Sequence, residues 1–182
     1  MSEPKIPDPV KLVSSIFSRE TVLLKEVVRE LSGKFGGIDF ISEYMPFEYT
    51  DYYDKEMGDL LVRRFISFED LVDPEVLPDV KLYTNKIEKD LSSGRKRQVN
   101  IDPGYLSEGH LLLATGKRYA HRPYLRDGIY ADLTLIYRRG AFWPLEWTYP
   151  DYAGESIIKT LGHIRMGYLM RLAEIKEDRN KK

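Results

Sequence analysis

The densest run of side chains able to do chemistry lies between positions 117 and 132: Lys117, Arg118, Tyr119, His121, Arg122, Tyr124, Arg126, Asp127, Tyr130 and Asp132. Basic groups among tyrosines suit a ligand bearing a phosphate or carboxylate, because guanidinium grips such anions at two points. His121 is the candidate acid-base, since an unperturbed imidazole alone changes charge near neutral pH. Asp127 is placed to orient its ring. Asp102 is the second catalytic candidate; it stands at the end of an expected strand before Pro103 and Gly104, where the competing reading is a capped type II turn. Tyr149 and Asp151 join Lys117, Arg122, Tyr124, Arg126, Asp127 and Tyr130 in the expected ligand-binding set. The bland alternative is a loop whose cations pair with acids elsewhere in the fold.

A metal is a further expectation to test. Asp102, Asp127, Asp132 and Asp151 could converge on Mg²⁺, which favours one or two carboxylates plus substrate phosphates. Asp127 and Asp132 lie five apart, so one regular strand would put them on opposite faces. Zinc is disfavoured: there is no cysteine, and His110, before an apolar strand, and His163, on a helix, read as structural.

The elements that must position these groups follow from the hydrophobic pattern. Residues 10–17 are β-branched and aliphatic, a first strand. Ser18 is the expected cap of a helix whose Leu23, Val27, Leu31 and Phe35 recur at helical spacing up to Gly36-Gly37. Strands are expected at 38–45 and 61–68, a helix from Asp73-Pro74 to about Leu91, and a strand at 99–102. That order predicts an α+β fold with a ferredoxin-like βαββαβ core at about 10–102. Strands at 110–115 and 128–138, a turn at Arg139-Gly140 into 141–145, and a helix over 154–175 extend it. The helix stripe Ile157, Leu161, Ile164, Tyr168, Leu172 and Ile175 should cover a sheet face or meet a second copy, so a homodimer is an open expectation.

Size and composition set the limits. The 182 residues, 42% hydrophobic and 31% charged, suit one domain with one core, and the missing cysteines exclude disulfides, thiol nucleophiles and iron–sulfur clusters. No apolar run suits a membrane span. The start, Met1-Ser2-Glu3-Pro4, has no basic-then-apolar signal segment, so a cytoplasmic protein is expected. The net charge of -1 hides a split: residues 1–91 hold 12 Lys/Arg against 19 Asp/Glu, and residues 92–182 hold 16 against 10. Such a split implies two surfaces that face each other, or an anion-binding face.

Four blocks carry a family resemblance: the 100–106 run Asn-Ile-Asp-Pro-Gly-Tyr-Leu; His121-Arg122 with Tyr124, Leu125 and Asp127 to Tyr130; Trp147-Thr148-Tyr149-Pro150-Asp151-Tyr152; and upstream Pro46, Phe47, Tyr49, Thr50, Tyr52 and Tyr53. Together they resemble an uncharacterised prokaryotic family, domain of unknown function 4416, whose members are sometimes labelled GTP-binding proteins. The residues argue against a P-loop. Gly116-Lys117 has Leu111 where the first glycine belongs and Arg118 in place of the hydroxyl. Asn85-Lys86-Ile87-Glu88 resembles a guanine reader but has Glu for Asp and falls inside an expected helix.

Two functions therefore stand as expectations. The first is a domain that binds a small anionic, nucleotide-like ligand with segment 117–132, as an enzyme if His121 serves as acid-base. The second is a non-catalytic interaction module that docks through the acidic, tyrosine-rich loop around Tyr49, Tyr52 and Tyr53. Aromatic loops can stack bases, but Glu48, Asp51 and Asp54 in this one would repel phosphates, so nucleic acid is disfavoured as a partner.

Overall fold

The computed structural model describes residues 1–47, 54–58, 60–94 and 96–181. The fold is α+β. In chain order the elements are β1 (Val10–Ser18), α1 (Thr21–Phe35), β2 (Ile38–Ile41), β3 (Met45–Pro46), the single turn α2 (Asp54–Met57) and β4 (Val62–Val72). There follow α3 (Leu77–Asp90), entered through a 3₁₀ turn at Pro74–Val76, then β5 (Val99–Leu106), β6 (His110–Thr115), β7 (Tyr124–Arg126), β8 (Ile129–Arg138), β9 (Ala141–Pro144) and α4 (Glu155–Asn180).

The strands form one sheet in the order β2-β4-β1-β5-β6-β8-β7, with β3 beside β4 and β9 beside β8. Every pairing is antiparallel. The segment β2-β4-β1-β5 is compatible with the ferredoxin-like core expected from the sequence. Helices α1 and α3 share one face, where Leu24, Val27 and Leu31 meet Val80 and Ile87 over Leu12, Ile16, Ile66 and Ile101. Helix α4 covers the other: Ile157, Leu161 and Ile164 pack on Val13, Phe65, Leu111, Leu113 and Leu135. The N-terminal half of the α4 stripe thus packs on the sheet, while Tyr168 donates its hydroxyl to the Pro9 carbonyl at 3.1 Å. Covered on both sides, β1 is buried at all nine positions, so its sequence shows no alternation.

Several expected boundaries move. Ser18 belongs to β1 rather than capping α1: its hydroxyl donates to the Gln98 carbonyl at 2.7 Å and accepts the Glu20 amide at 3.0 Å. The expected 38–45 strand is two short pieces, and β4 runs on to Val72. Strand β7, not foreseen, joins β8 through Asp127-Gly128, and β8 joins β9 through Arg139-Gly140. All four of these residues have positive φ, as two-residue hairpin turns require.

The largest correction concerns Pro103 and Gly104, which form no turn. They sit inside β5, opposite Ser14 and Val13 of β1. Beyond them the sheet forks. Strand β5 stays on β1 down to Val99, but its ladder to β6 covers only Gly104–Leu106 against Leu111–Leu113. Past that point β6 leaves with β8, as far as Thr115 opposite Tyr130.

Candidate functional site

The fork explains its own sequence. On the open edge of β5 the Ile101 amide and carbonyl have no strand partner, and α3 supplies one: Glu88 Oε1 accepts the amide at 2.6 Å and Lys81 Nζ donates to the carbonyl at 2.9 Å. Backbone groups alternate sides along a strand, so Pro103 turns the same way as Ile101, and its missing N–H leaves no orphan there. Gly104 stands at the apex, where a Cβ would lie 2.4 Å from the Leu112 carbonyl oxygen.

A cavity of about 710 Å³ occupies the gap. Phe17 of β1, Arg63 of β4, and Asn100 and Asp102 of β5 form one side; Lys81, Asn85 and Glu88 of α3 form another. The end of β6 from Leu113 to Lys117, Asp132 of β8, and residues 149–152 close it. Among the described residues its wall carries four cations, Arg63, Lys81, Arg97 and Lys117, and four carboxylates, Glu88, Asp102, Asp132 and Asp151.

The deepest cation is Arg63, 2% exposed. One terminal nitrogen pairs with Asp151. Its Nε and other terminal nitrogen are buried and meet no acceptor among the described residues; the Tyr152 hydroxyl is in the same position. The guanidinium lies 4.3 Å from the Phe47 ring centre and 5.4 Å from that of Tyr152. Burial pushes the Tyr152 phenol well above its ordinary range, so it stays a protonated donor.

The other carboxylates are individually held. Asn100 Nδ2 donates to Asp102 Oδ2 at 2.8 Å, with Lys81 Nζ at 4.0 Å from the other oxygen. Arg122 Nε donates to Asp132 Oδ2 at 2.8 Å, and its NH2 donates to the Tyr149 hydroxyl at 2.9 Å. Arg97 reaches Glu88 at 3.6 Å and Glu56 at 2.8 Å.

Of the residues singled out from sequence, Asp102, Lys117, Asp132, Tyr149 and Asp151 line the cavity. Arg122 stands one layer behind, bracing Asp132 and Tyr149. His121 is behind as well: its ring stacks on Trp147 at 4.8 Å and 11°, with Nε2 4.0 Å from Asp132 Oδ2 and no hydrogen-bond partner. Tyr124, Arg126, Asp127 and Tyr130 are outside the lining, on the β7–β8 hairpin. There Arg126 pairs with Asp79 and Asp127, and Tyr124 packs edge-on to Tyr130. Among the described residues no three His, Asp or Glu side chains gather so as to hold a metal ion, and Asp127 is turned away with Arg126. Tyr49, Tyr52 and Tyr53 of the proposed docking loop lie outside the described residues.

The charge split is met partly inside the fold, since Arg126 with Asp79 and Arg97 with Glu56 join the basic half to the acidic one. Exposed pairs of the Arg126 kind add little. Arg126→Ala should therefore leave the melting temperature unchanged; a clear loss in a thermal melt would show that the hairpin pair matters to the fold.

Glu88 gives the site a pH signature. Burial raises its pKa above the ordinary 4.5, against the lowering pull of Lys81, the Ile101 amide and Arg97, with Asp102 adding to the rise. The folded carboxyl then keeps a proton that the unfolded one has lost, so its contribution to stability falls as pH rises from 4.5 through the folded value. Urea midpoints measured across that window should decline more steeply for the wild type than for Glu88→Gln. Parallel curves would remove Glu88 as the cause.

Sequence reasoning missed Arg63. Arg63 and Arg64 are neighbours in one strand, so one must point to each face, and with both faces covered parity does not single out the buried one. The structure separates them: Arg64 bonds the Ser42 carbonyl at 2.8 Å and lies over Tyr44, while Arg63 turns in beside Phe65.

Among the described residues no helix is long and apolar enough to cross a membrane. No curated protein and no solved structure matches the chain. The profile of a family described as domain of unknown function (DUF4416) matches residues 8–168, spanning the sheet, the fork and most of α4. The chain belongs to that family.

Proposed function

We propose that the protein binds a small anionic, nucleotide-like ligand in the forked-sheet cavity, with Arg63 as the anion anchor. The observation that carries this reading is a buried guanidinium with two nitrogens lacking acceptors, beside a cavity of the size that holds small ligands. Leaving such donors unmet costs stability, and an oxyanion would satisfy them. Phe17 and Phe47, stacked on each other at 4.4 Å, supply the aromatic part of the wall beside Arg63. Asp102 is the acid-base candidate that lines the cavity. His121 reaches it only through Asp132.

Titration calorimetry with inorganic phosphate tests this with two variants of opposite sign. Arg63→Lys keeps the charge but loses the planar fork, so phosphate should bind at least about tenfold more weakly. Asp151→Asn takes the competing carboxylate from Arg63, so phosphate should bind more tightly. Equal affinity in wild type and both variants would place any anion site elsewhere.

A further inference from the structure

We infer that the ligand carries a single phosphate on a hydroxylated sugar, and is not a nucleoside triphosphate; this rests on the anion reading of Arg63 above. The first reason is charge. Among the described residues the wall holds as many carboxylates as cations, and each of those carboxylates already faces a cation or an amide. The described part of the wall therefore has no standing excess of positive charge for a chain of phosphates. Triphosphate sites rely on glycine-rich amide cradles or a bound divalent ion. Gly116 and Lys117 contribute one glycine and one amine and no glycine-rich cradle, and the Asp102 and Asp132 carboxylates that a divalent ion would use already face Asn100 and Arg122.

The second reason is where the unmet donors and the spare acceptors lie. Arg63 Nε, Arg63 NH1 and the Tyr152 hydroxyl are three buried donors that meet no acceptor among the described residues, with the guanidinium 5.4 Å from the Tyr152 ring centre. Three suit the terminal oxygens of one phosphate better than the two of a carboxylate. Across the cavity the surplus is of acceptors. Arg122 and His121 both approach Asp132, which lines the cavity, at Oδ2 and not at Oδ1. Asp102 holds one hydrogen bond, from Asn100, out of the several that a carboxylate can accept. Carboxylates repel further phosphates and bind hydroxyl donors, as a sugar presents. A free sugar phosphate and a nucleoside monophosphate share this chemistry, differing in whether a base occupies the aromatic wall.

The test is titration calorimetry of the full chain with inorganic phosphate, ribose 5-phosphate, guanosine 5′-monophosphate, and guanosine 5′-triphosphate with Mg²⁺. Hydrogen bonds to charged groups are strong enough that ribose 5-phosphate should bind at least about tenfold tighter than inorganic phosphate. The monophosphate should bind tighter than its triphosphate, and Asp102→Asn should bring ribose 5-phosphate down to the level of inorganic phosphate. The nucleotide outbinding ribose 5-phosphate assigns a base to the aromatic wall; the reverse assigns a free sugar phosphate. Phosphate binding through Arg63 with no gain from the sugar, or a triphosphate that equals or exceeds the monophosphate, overturns this inference and leaves the anion site standing. Phosphate that fails to bind through Arg63 overturns both.

Discussion

Arg63→Met is expected to cost about 3–5 kcal/mol of folding stability, because it strands the buried Asp151 carboxylate without its cation. For a chain of this length that is a fall in melting temperature on the order of 10 °C. The pair itself is a different matter. Replacing both partners by apolar side chains of similar volume removes the desolvation cost together with the attraction, and such exchanges are often neutral or stabilising. Arg63→Met with Asp151→Leu should therefore recover most of the loss while binding no phosphate. A double variant that is stable yet keeps wild-type phosphate affinity would show that Arg63 is a structural ion pair and nothing more.

Gly104→Ala is expected to cause the second large loss. The new Cβ would sit 2.4 Å from the Leu112 carbonyl oxygen, 2.7 Å from Leu113 Cδ2 and 3.2 Å from Leu113 Cα. Two of those three atoms are backbone and cannot rotate aside, so β5 and β6 must separate at the apex of the fork. Overpacking typically costs about 1–3 kcal/mol, and this case belongs at or above the upper end. Gly109→Ala is the matched control, since nothing lies within 4 Å of its Cβ. Denaturant melts should show Gly104→Ala far less stable than Gly109→Ala; equal stability would mean that the strands do not meet there as closely as described.

Much of the framework is legible in the sequence because strong periodicity meets strong punctuation. Helix α1 ends before Gly36-Gly37, α3 is entered through Pro74, and the α4 stripe faces the sheet at the residues its spacing picks out. Pro103-Gly104 is where local reading fails. Both residues usually mark turns, yet here each answers a tertiary demand: proline where an edge needs no donor, and glycine where a neighbouring backbone comes close. The candidate site divides in the same way. Asp102, Lys117, Asp132, Tyr149 and Asp151 line one cavity although they come from separate stretches of the chain, while Arg126 and Asp127 go to a hairpin surface because Asp79 of α3 lies within reach. His121 carried the strongest chemical expectation. It finds a flat partner in Trp147 and gives up the cavity edge to Asp132. Arg63 escaped because its role depends on which strands surround it, and no local pattern encodes that.

One measurement bears most directly on the anion anchor: a crystal structure of the protein grown with inorganic phosphate. The account predicts a tetrahedral anion in the fork, within hydrogen-bond distance of Arg63 Nε and NH1 and of the Tyr152 hydroxyl. Ordered water alone at those three atoms, with phosphate bound elsewhere or not at all, would contradict it.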